Sequence, residues 1–309
     1  MNPLTIIYIT SRLRPQFDWF YESLLAQGGK DVEVIFVDTF AERSATQQRF
    51  MFVEGYNIKH VPPKPTVWQG KHRITKQDYW AAANARNTGI CLCRTEWIAF
   101  VDDRSVLMPG WLDAIREAMA GNYAVCGAYE KRHNMKVENG IIADTGQYDG
   151  TDPRSPGGRD HRESLSLLVP IKAPGSWWFG CTNALPLEWA LKVNGYEEGC
   201  DSLSLEDCIF GMMLENNGLP IMYDARMKVV QDRTPSELGT PMRRTSKERH
   251  PKDKSDKGYA ALRRFGQCKQ TMVTPDLRGL RQHILNGGEW PIPAEPQLDW
   301  FDGQRIETM

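Results

Sequence analysis

The chain has 309 residues, 41% of them hydrophobic and 25% charged, with a formal net charge of -1. That length suits one large α/β domain or two smaller ones with ample core, and the charge gives no global attraction to nucleic acid or anionic membrane. No stretch approaches the ~20 apolar residues of a membrane span and Met1–Ile7 lacks the basic start and apolar core of a signal peptide, so a cytoplasmic protein is expected. The seven cysteines are odd in number and scattered, which fits reduced core thiols. Cys91 and Cys93 form only a C-x-C with no second pair, which argues against zinc.

Leu4–Thr10 (LTIIYIT) reads as a strand and Ser11–Pro15 (SRLRP) as the loop at its C-terminal end. Phe17, Phe20, Tyr21, Leu24 and Leu25 follow at helical spacing. A second strand, Val32–Val37, runs into Asp38, a residue that can accept hydrogen bonds from a base or ribose and equally serves as a turn or helix cap. Tyr56–Val61 reads as a short strand ended by Pro62, Pro63 and Pro65. Residues 64–78 read as a loop, and Tyr79–Cys91 as a helix carrying ANARNTGI. Its Arg86 and Asn87 can hold phosphate or ribose oxygens; alone, the pair would be an ordinary exposed helix face.

The most informative stretch is Trp97–Leu112, WIAFVDDRSVLMPGWL. The apolar run Ile98–Val101 reads as a central strand of a parallel sheet, and ligands of such sheets sit beyond the strands' C-terminal ends. The strand runs directly into Asp102 and Asp103, so both acids are expected to face a site; the alternative reading is that Asp103 or Ser105 only caps or turns the connection. After it, Trp111–Ala120 reads as an amphipathic helix and Tyr123–Tyr129 as a strand. Residues 130–170, rich in Gly, Asp, Arg and Pro, read as a long irregular insertion, a feature that is uncommon unless functional. Pro174–Cys181 (PGSWWFGC) places Trp177 and Trp178 where aromatic faces stack on a sugar or fill core. Gly180–Asn183 (GCTN) is read as leading into a helix over Leu185–Val193. Glu206 and Asp207 then open a helix through Phe210, Met213 and Leu214 to Gly218, where acids also favour the helix dipole.

The order T-S-R after one strand, V-D after the next, then A-R-N-T-G, F-V-D-D, G-C-T-N-A-L-P, N-G-Y-E-E and E-D before an apolar helix resembles family 2 glycosyltransferases of the GT-A fold. The resemblance covers Leu4 to Val230. It implies an α/β fold with a Rossmann-like mixed sheet flanked by helices, divided into a nucleotide-sugar half over 1–123 and an acceptor half over 124–235, with a C-terminal segment 236–309 packed on the same domain. The implied reaction is inverting displacement of a nucleoside diphosphate, UDP in most relatives, from the anomeric carbon by an acceptor hydroxyl. A hydroxyl is a poor nucleophile until a base takes its proton. The resemblance assigns that role to Asp207, with Glu206 orienting the acceptor. It further implies that Thr10, Ser11, Arg12, Asp38, Arg86, Asn87, Asp102 and Arg104 bind the nucleotide sugar and that Trp177, Trp178 and Asn183 meet the acceptor. Asp102 and Asp103 would hold Mn²⁺ or Mg²⁺, since oxygen ligands suit either ion.

The chain departs from the family's D-x-D at Arg104, which leaves two expectations open: a metal on the two acids, or a direct contribution of positive charge from Arg104. No histidine follows the E-D helix closely; Gln231 and Asp232 close the next strand instead. The implied acceptor is a glycan or, as in some similar bacteriophage enzymes, a hydroxymethylated pyrimidine in DNA. Arg243–Lys269 carries ten Lys/Arg against three acids, with a polar centre and an apolar, helix-like end around Tyr259–Phe265, and reads as a solvated loop, a lid over the diphosphate or a surface for a polyanion. Residues 287–309 read as irregular chain over the main domain. Outside this family, the features also admit a non-catalytic sugar-binding protein, or a nucleotidyltransferase, which would need a Gly-rich basic signature that Ser11–Pro15 lacks.

Overall fold

The computed structural model describes residues 4–44, 57–74, 78–150, 158–166, 169–201, 205–234 and 259–294. In chain order the elements are β1 (Leu4–Thr10), α1 (Phe17–Leu25), β2 (Glu33–Asp38), α2 (Ala41–Ser44), β3 (Ile58–Val61), α3 (Ala82–Leu92), β4 (Trp97–Asp102), β5 (Ser105–Leu107), α4 (Trp111–Gly121) and β6 (Ala124–His133). There follow β7 (Lys136–Glu138), β8 (Ile141–Asp144), β9 (Gln147–Tyr148), β10 (Ile171–Lys172), β11 (Thr182–Pro186), α5 (Leu187–Lys192), α6 (Glu206–Asn216), β12 (Ile221–Asp232) and α7 (Leu277–Leu285).

The main sheet runs β10-β12-β6-β11-β4-β1-β2-β3, with β5 beside β12 and β9 beside β6. Strands β4, β1, β2 and β3 are parallel, which brings Thr10, Asp38 and Asp102 to one edge: Thr10 lies opposite Asp38, and Ile9 opposite Asp102. Alternate residues feed two cores. Ile7, Ile9, Ile35, Val37, Ile98 and Phe100 pack with α3, α5 and α6, while Ile6, Tyr8, Val34, Phe36, Ala99 and Val101 pack with α1 and α4. Being covered on both faces is why these strands read as continuous apolar runs rather than alternating ones.

Two expectations are corrected. The segment after GCTN is not helical from Leu185: Thr182–Pro186 is a strand wedged antiparallel between β4 and β6, and α5 starts only after Pro186. A strand buried on both faces and a helix both read as apolar, so periodicity could not separate them. The insertion after residue 130 is also more regular than expected. Strand β6 continues to His133, β7 and β8 form a hairpin, and β9 returns to pair with β6.

Of the basic segment, residues 235–258 lie outside the described residues. Residues 259–265 are helical, as expected for the apolar end of the segment, and Ala261 and Phe265 are buried in the same core as α3 and α6. Segment 270–277 is stitched to loop 194–198. Glu197 accepts the backbone N–H of Met272 at 2.6 Å, and the N–H of Leu277 reaches Asn194 Oδ1 at 2.7 Å. Residues 295–309 of the predicted tail lie outside the described residues.

Candidate active site

Helix α3 carries the central side chain. Arg86, only 3% exposed, donates from Nη2 to Asp102 Oδ1 at 2.9 Å and from Nη1 to Glu206 Oε1 at 2.8 Å. One guanidinium therefore ties the end of β4 to the start of α6. Its planar fork suits two carboxylates in a way no lysine could. The backbone of α3 is anchored by Asp201, whose carboxylate accepts the N–H groups of Ala83 at 2.6 Å and Asn84 at 3.2 Å and so caps the helix from another part of the chain. On its remaining side Arg86 faces the ring of Tyr196, which stacks on Phe210 of α6 at 4.0 Å.

Asp207 lies beside this bridge. Its Oδ2 accepts the N–H of Gly180 at 2.9 Å and its Oδ1 the N–H of Cys208 at 2.7 Å. Glycine at 180 gives the guanidinium its room: a Cβ would stand 2.2 Å from Arg86 Nη2 and would push it off its two carboxylates. Leu205, just before the acids, holds a left-handed backbone (φ 70°), a strained conformation for a bulky residue and one that sets where α6 begins. Burial pushes the carboxyl of Glu206 up, as does the neighbouring Asp207, while Arg86 opposes both. Burial likewise raises Asp102; Arg86 pulls it back down, and Asp103 and Asp207 raise it again. Burial works against the charge on Arg86, but Asp102 and Glu206 outweigh it and raise its affinity for the proton.

Asp103 and Arg104 turn away from this cluster. Asp103 accepts from Thr10 Oγ1 at 2.7 Å and from Arg12 Nε at 3.2 Å, so it braces the loop after β1. Arg104, at φ 56°, sends Nη2 to Asp232 Oδ2 at 3.1 Å and Nη1 to the Thr234 carbonyl at 2.7 Å. The expected direct charge contribution from Arg104 is thus spent on the end of β12. Thr10, Ser11 and Arg12 do lie at the predicted edge, all buried, with the side chains of Thr10 and Arg12 committed to Asp103.

Several other predicted contacts are structural in this arrangement. Asp38 is fully buried and accepts from the Phe40 N–H at 2.8 Å, with His60 Nε2 at 3.0 Å from its other oxygen. Asn87 is buried and clamps Tyr196 through that residue's N–H and carbonyl, also reaching Glu198 at 2.8 Å. Asn183 is 0% exposed inside β11, with Nδ2 on the Phe179 carbonyl. Trp178 is 0% exposed against Phe210, and its Nε1 reaches Tyr196 Oη at 3.4 Å. It is core, and cannot stack on an acceptor while packed there. Trp177 is half-buried, edge-on to Tyr223. Trp178→Ala is expected to cost about 3–5 kcal/mol of stability, the range for a buried aromatic, checked by urea unfolding. A loss of acceptor affinity at wild-type stability would instead return Trp178 to the acceptor site.

Among the described residues no group of three His, Cys, Asp or Glu side chains is placed to hold a metal. The expected ligand Asp103 is unsuited, since both its oxygens already serve Thr10 and Arg12. Asp102 fits better: Oδ1 is on Arg86, and 31% of its side chain remains open. Mg²⁺ commonly binds through one or two carboxylates together with substrate phosphates. The donor set therefore fits an ion arriving with a diphosphate, not a preformed protein cage.

Residues 18–145 match the model of glycosyl transferase family 2. Among solved structures, S. aureus TarS 1–349 in complex with UDP-GlcNAc aligns with a TM-score of 0.52 at 12% identity, covering 76% of this chain and 60% of that one. The UDP complex of the same protein gives 0.48 at 14% identity, covering 75% and 61%. This chain thus spans about 60% of the length of that TarS structure. None of the curated proteins matches at the level of sequence. Among the described residues no helix is long and apolar enough to cross a membrane. With its mixed sheet flanked by helices the chain has a GT-A-like fold shared with TarS, and within it residues 18–145 are similar to glycosyl transferase family 2.

Proposed function

We propose that the protein transfers a sugar from a UDP-sugar to an acceptor hydroxyl by single displacement with inversion, with Asp207 as the base. The observation that carries this reading is the Arg86 bridge, which puts the acid at the end of β4 and the pair opening α6 around one guanidinium. One acid then serves the departing diphosphate while another takes the proton of the incoming alcohol. Asp207 suits the second task because its two oxygens take only backbone N–H groups from Gly180 and Cys208, leaving lone pairs for an incoming hydroxyl. Glu206, tied to Arg86, orients the acceptor. UDP is favoured as the nucleotide by the fold shared with TarS, whose structure holds UDP-GlcNAc. Residues 1–123 form the nucleotide-sugar half, 124–235 the half that meets the acceptor, which is a glycan in this reading.

Charge balance favours a divalent cation with the donor. With Asp103 paired to Arg12 and Asp232 to Arg104, the cluster itself sets Arg86 alone against Asp102, Glu206 and Asp207, an acidic excess that would repel a bare diphosphate. Asp102 would hold Mn²⁺ or Mg²⁺, which would supply charge stabilisation to the leaving group. Thermal shift tests this. UDP and UDP-sugars are expected to raise the melting temperature by several degrees in Mn²⁺, and to lose most of that shift in excess chelator. Equal shifts in both conditions would refute the cation; a response to GDP or dTDP sugars alone would refute UDP.

A further inference from the structure

Arg162 belongs to the insertion after β9, away from the acids, yet it is 0% exposed. Asp160 neutralises it, accepting from Nε at 2.9 Å and Nη2 at 2.7 Å, and Tyr223 Oη donates to the same carboxylate at 3.2 Å. The guanidinium sits among four aromatic rings, with its carbon 4.2 Å from the centre of Phe179, 4.7 Å from Tyr223, 5.4 Å from Trp177 and 6.0 Å from Tyr129. Its remaining Nη1 donates to the Trp177 carbonyl at 2.6 Å. Burying an arginine is costly, and a purely apolar plug would stabilise this site at least as well. What the guanidinium adds is a directional hold, closest on the segment that carries Trp177, with a longer 3.4 Å bond from Nη2 to the Gly127 carbonyl of β6.

That segment is the chain entering β11. Three residues beyond the carbonyl that Arg162 binds, the Gly180 N–H meets Asp207 Oδ2 at 2.9 Å, and Gly180 lies directly against the Arg86 guanidinium. At its other end Gly175 abuts Gly211 of α6, and its N–H donates to Glu215 at 2.8 Å. Gly175 and Gly211 have no side chains with which to lock the segment. Between those ends the buried Trp178 and the Asn183 bond to the Phe179 carbonyl hold the middle of the segment, and Arg162 adds the grip on the Trp177 carbonyl and the Phe179 ring.

We propose that Arg162 is a positioning residue for sugar transfer: through the Trp177 carbonyl and the Phe179 ring it fixes the Gly180 N–H, which in turn orients Asp207. This rests on the reading of Asp207 as the base. Lysine at position 162 keeps the charge but cannot bind Asp160 in parallel and Trp177 at once. The full-length Arg162→Lys variant is expected to melt as a folded protein and to bind UDP within about twofold of wild type, because nothing at the nucleotide edge touches residue 162. Its kcat for release of UDP from UDP-GlcNAc should fall about 10–100-fold, as a sub-ångström to ångström misplacement of a reacting group does, with KM unchanged. Hydrogen exchange should accelerate over 177–181 and not across β4.

A folded Arg162→Lys with wild-type exchange over 177–181, or with wild-type kcat while Asp207→Asn is inactive, overturns the proposal. Parallel losses in UDP affinity and kcat, with faster exchange throughout β6 and β12, overturn it in favour of a general structural role. If Arg162→Lys does not fold, Phe179→Leu leaves the buried ion pair intact and removes only the ring, and is expected to give the same kcat-selective loss. Wild-type turnover by Asp207→Asn would instead overturn the base assignment itself, a result distinguishable from the others because it does not involve residue 162.

Discussion

Asp207→Asn should lower turnover by about 10²–10⁴-fold, the range supplied by a positioned general base, while leaving UDP affinity within about twofold. The substitution is nearly isosteric, so the amide oxygen can still accept the Gly180 or Cys208 N–H that the carboxylate holds at 2.9 and 2.7 Å. What it removes is the capacity to take a proton, together with one negative charge beside Glu206. Stability should therefore change little or fall slightly, because relief of the repulsion on Glu206 is set against the one backbone N–H that the amide nitrogen cannot accept. The measurement is UDP release from UDP-GlcNAc, paired with calorimetric titration of UDP in Mn²⁺. Comparable falls in affinity and rate would mean that Asp207 holds the donor or its cation; unchanged turnover would move the base elsewhere, with Glu206→Gln the next variant to compare. Glu206→Gln is expected to act differently: it weakens the Arg86 bridge and so should disturb both binding and rate.

How far the sequence discloses this molecule depends on whether a residue's chemistry is decided locally. Strands β1, β2 and β4 were legible because burial on both faces makes them unbroken apolar runs that end at a polar residue. The convergence of the β4 and α6 acids followed from their order along the chain. Which acid faces which partner did not. Asp102 and Asp103 are adjacent and point to opposite sides of a strand end, so one meets Arg86 and the other Thr10 and Arg12. Asn87 and Trp178 look like ligand-binding side chains by type, and only tertiary contacts with Tyr196 and Phe210 reveal them as packing. Arg162 gave no local signal: it lies in a polar insertion, and nothing in its neighbours predicts that Tyr129, Trp177, Phe179 and Tyr223 close around it. The glycine at 180 was visible within PGSWWFGC, but its reason, close approach to Arg86, comes from a helix almost a hundred residues earlier.

The second large effect is expected at Arg86. Arg86→Met preserves much of the side chain's volume and removes the charge between Asp102 and Glu206, stranding two partly buried carboxylates; full burial would make the cost about 3–5 kcal/mol, and the 31% exposure of Asp102 lowers it. The loss should depend on pH in a defined direction. In the native protein Asp102 and Glu206 are raised chiefly by burial, with Arg86 lowering both, so its removal raises them further. A carboxyl whose folded pKa exceeds its unfolded value binds its proton more tightly when folded. Its stabilising contribution is present below the unfolded value and disappears as pH rises through the folded one. The variant can therefore shelter at low pH by protonating the stranded acids and has no such escape at higher pH. Urea unfolding should show a gap between wild type and Arg86→Met that is wider at pH 8 than at pH 5. Arg86→Lys should fall between them, since one ammonium keeps the charge but not the fork that reaches both acids. A gap independent of pH would mean that the acids are hydrated well enough to stay charged without Arg86, and the bridge would then matter for geometry and not for stability.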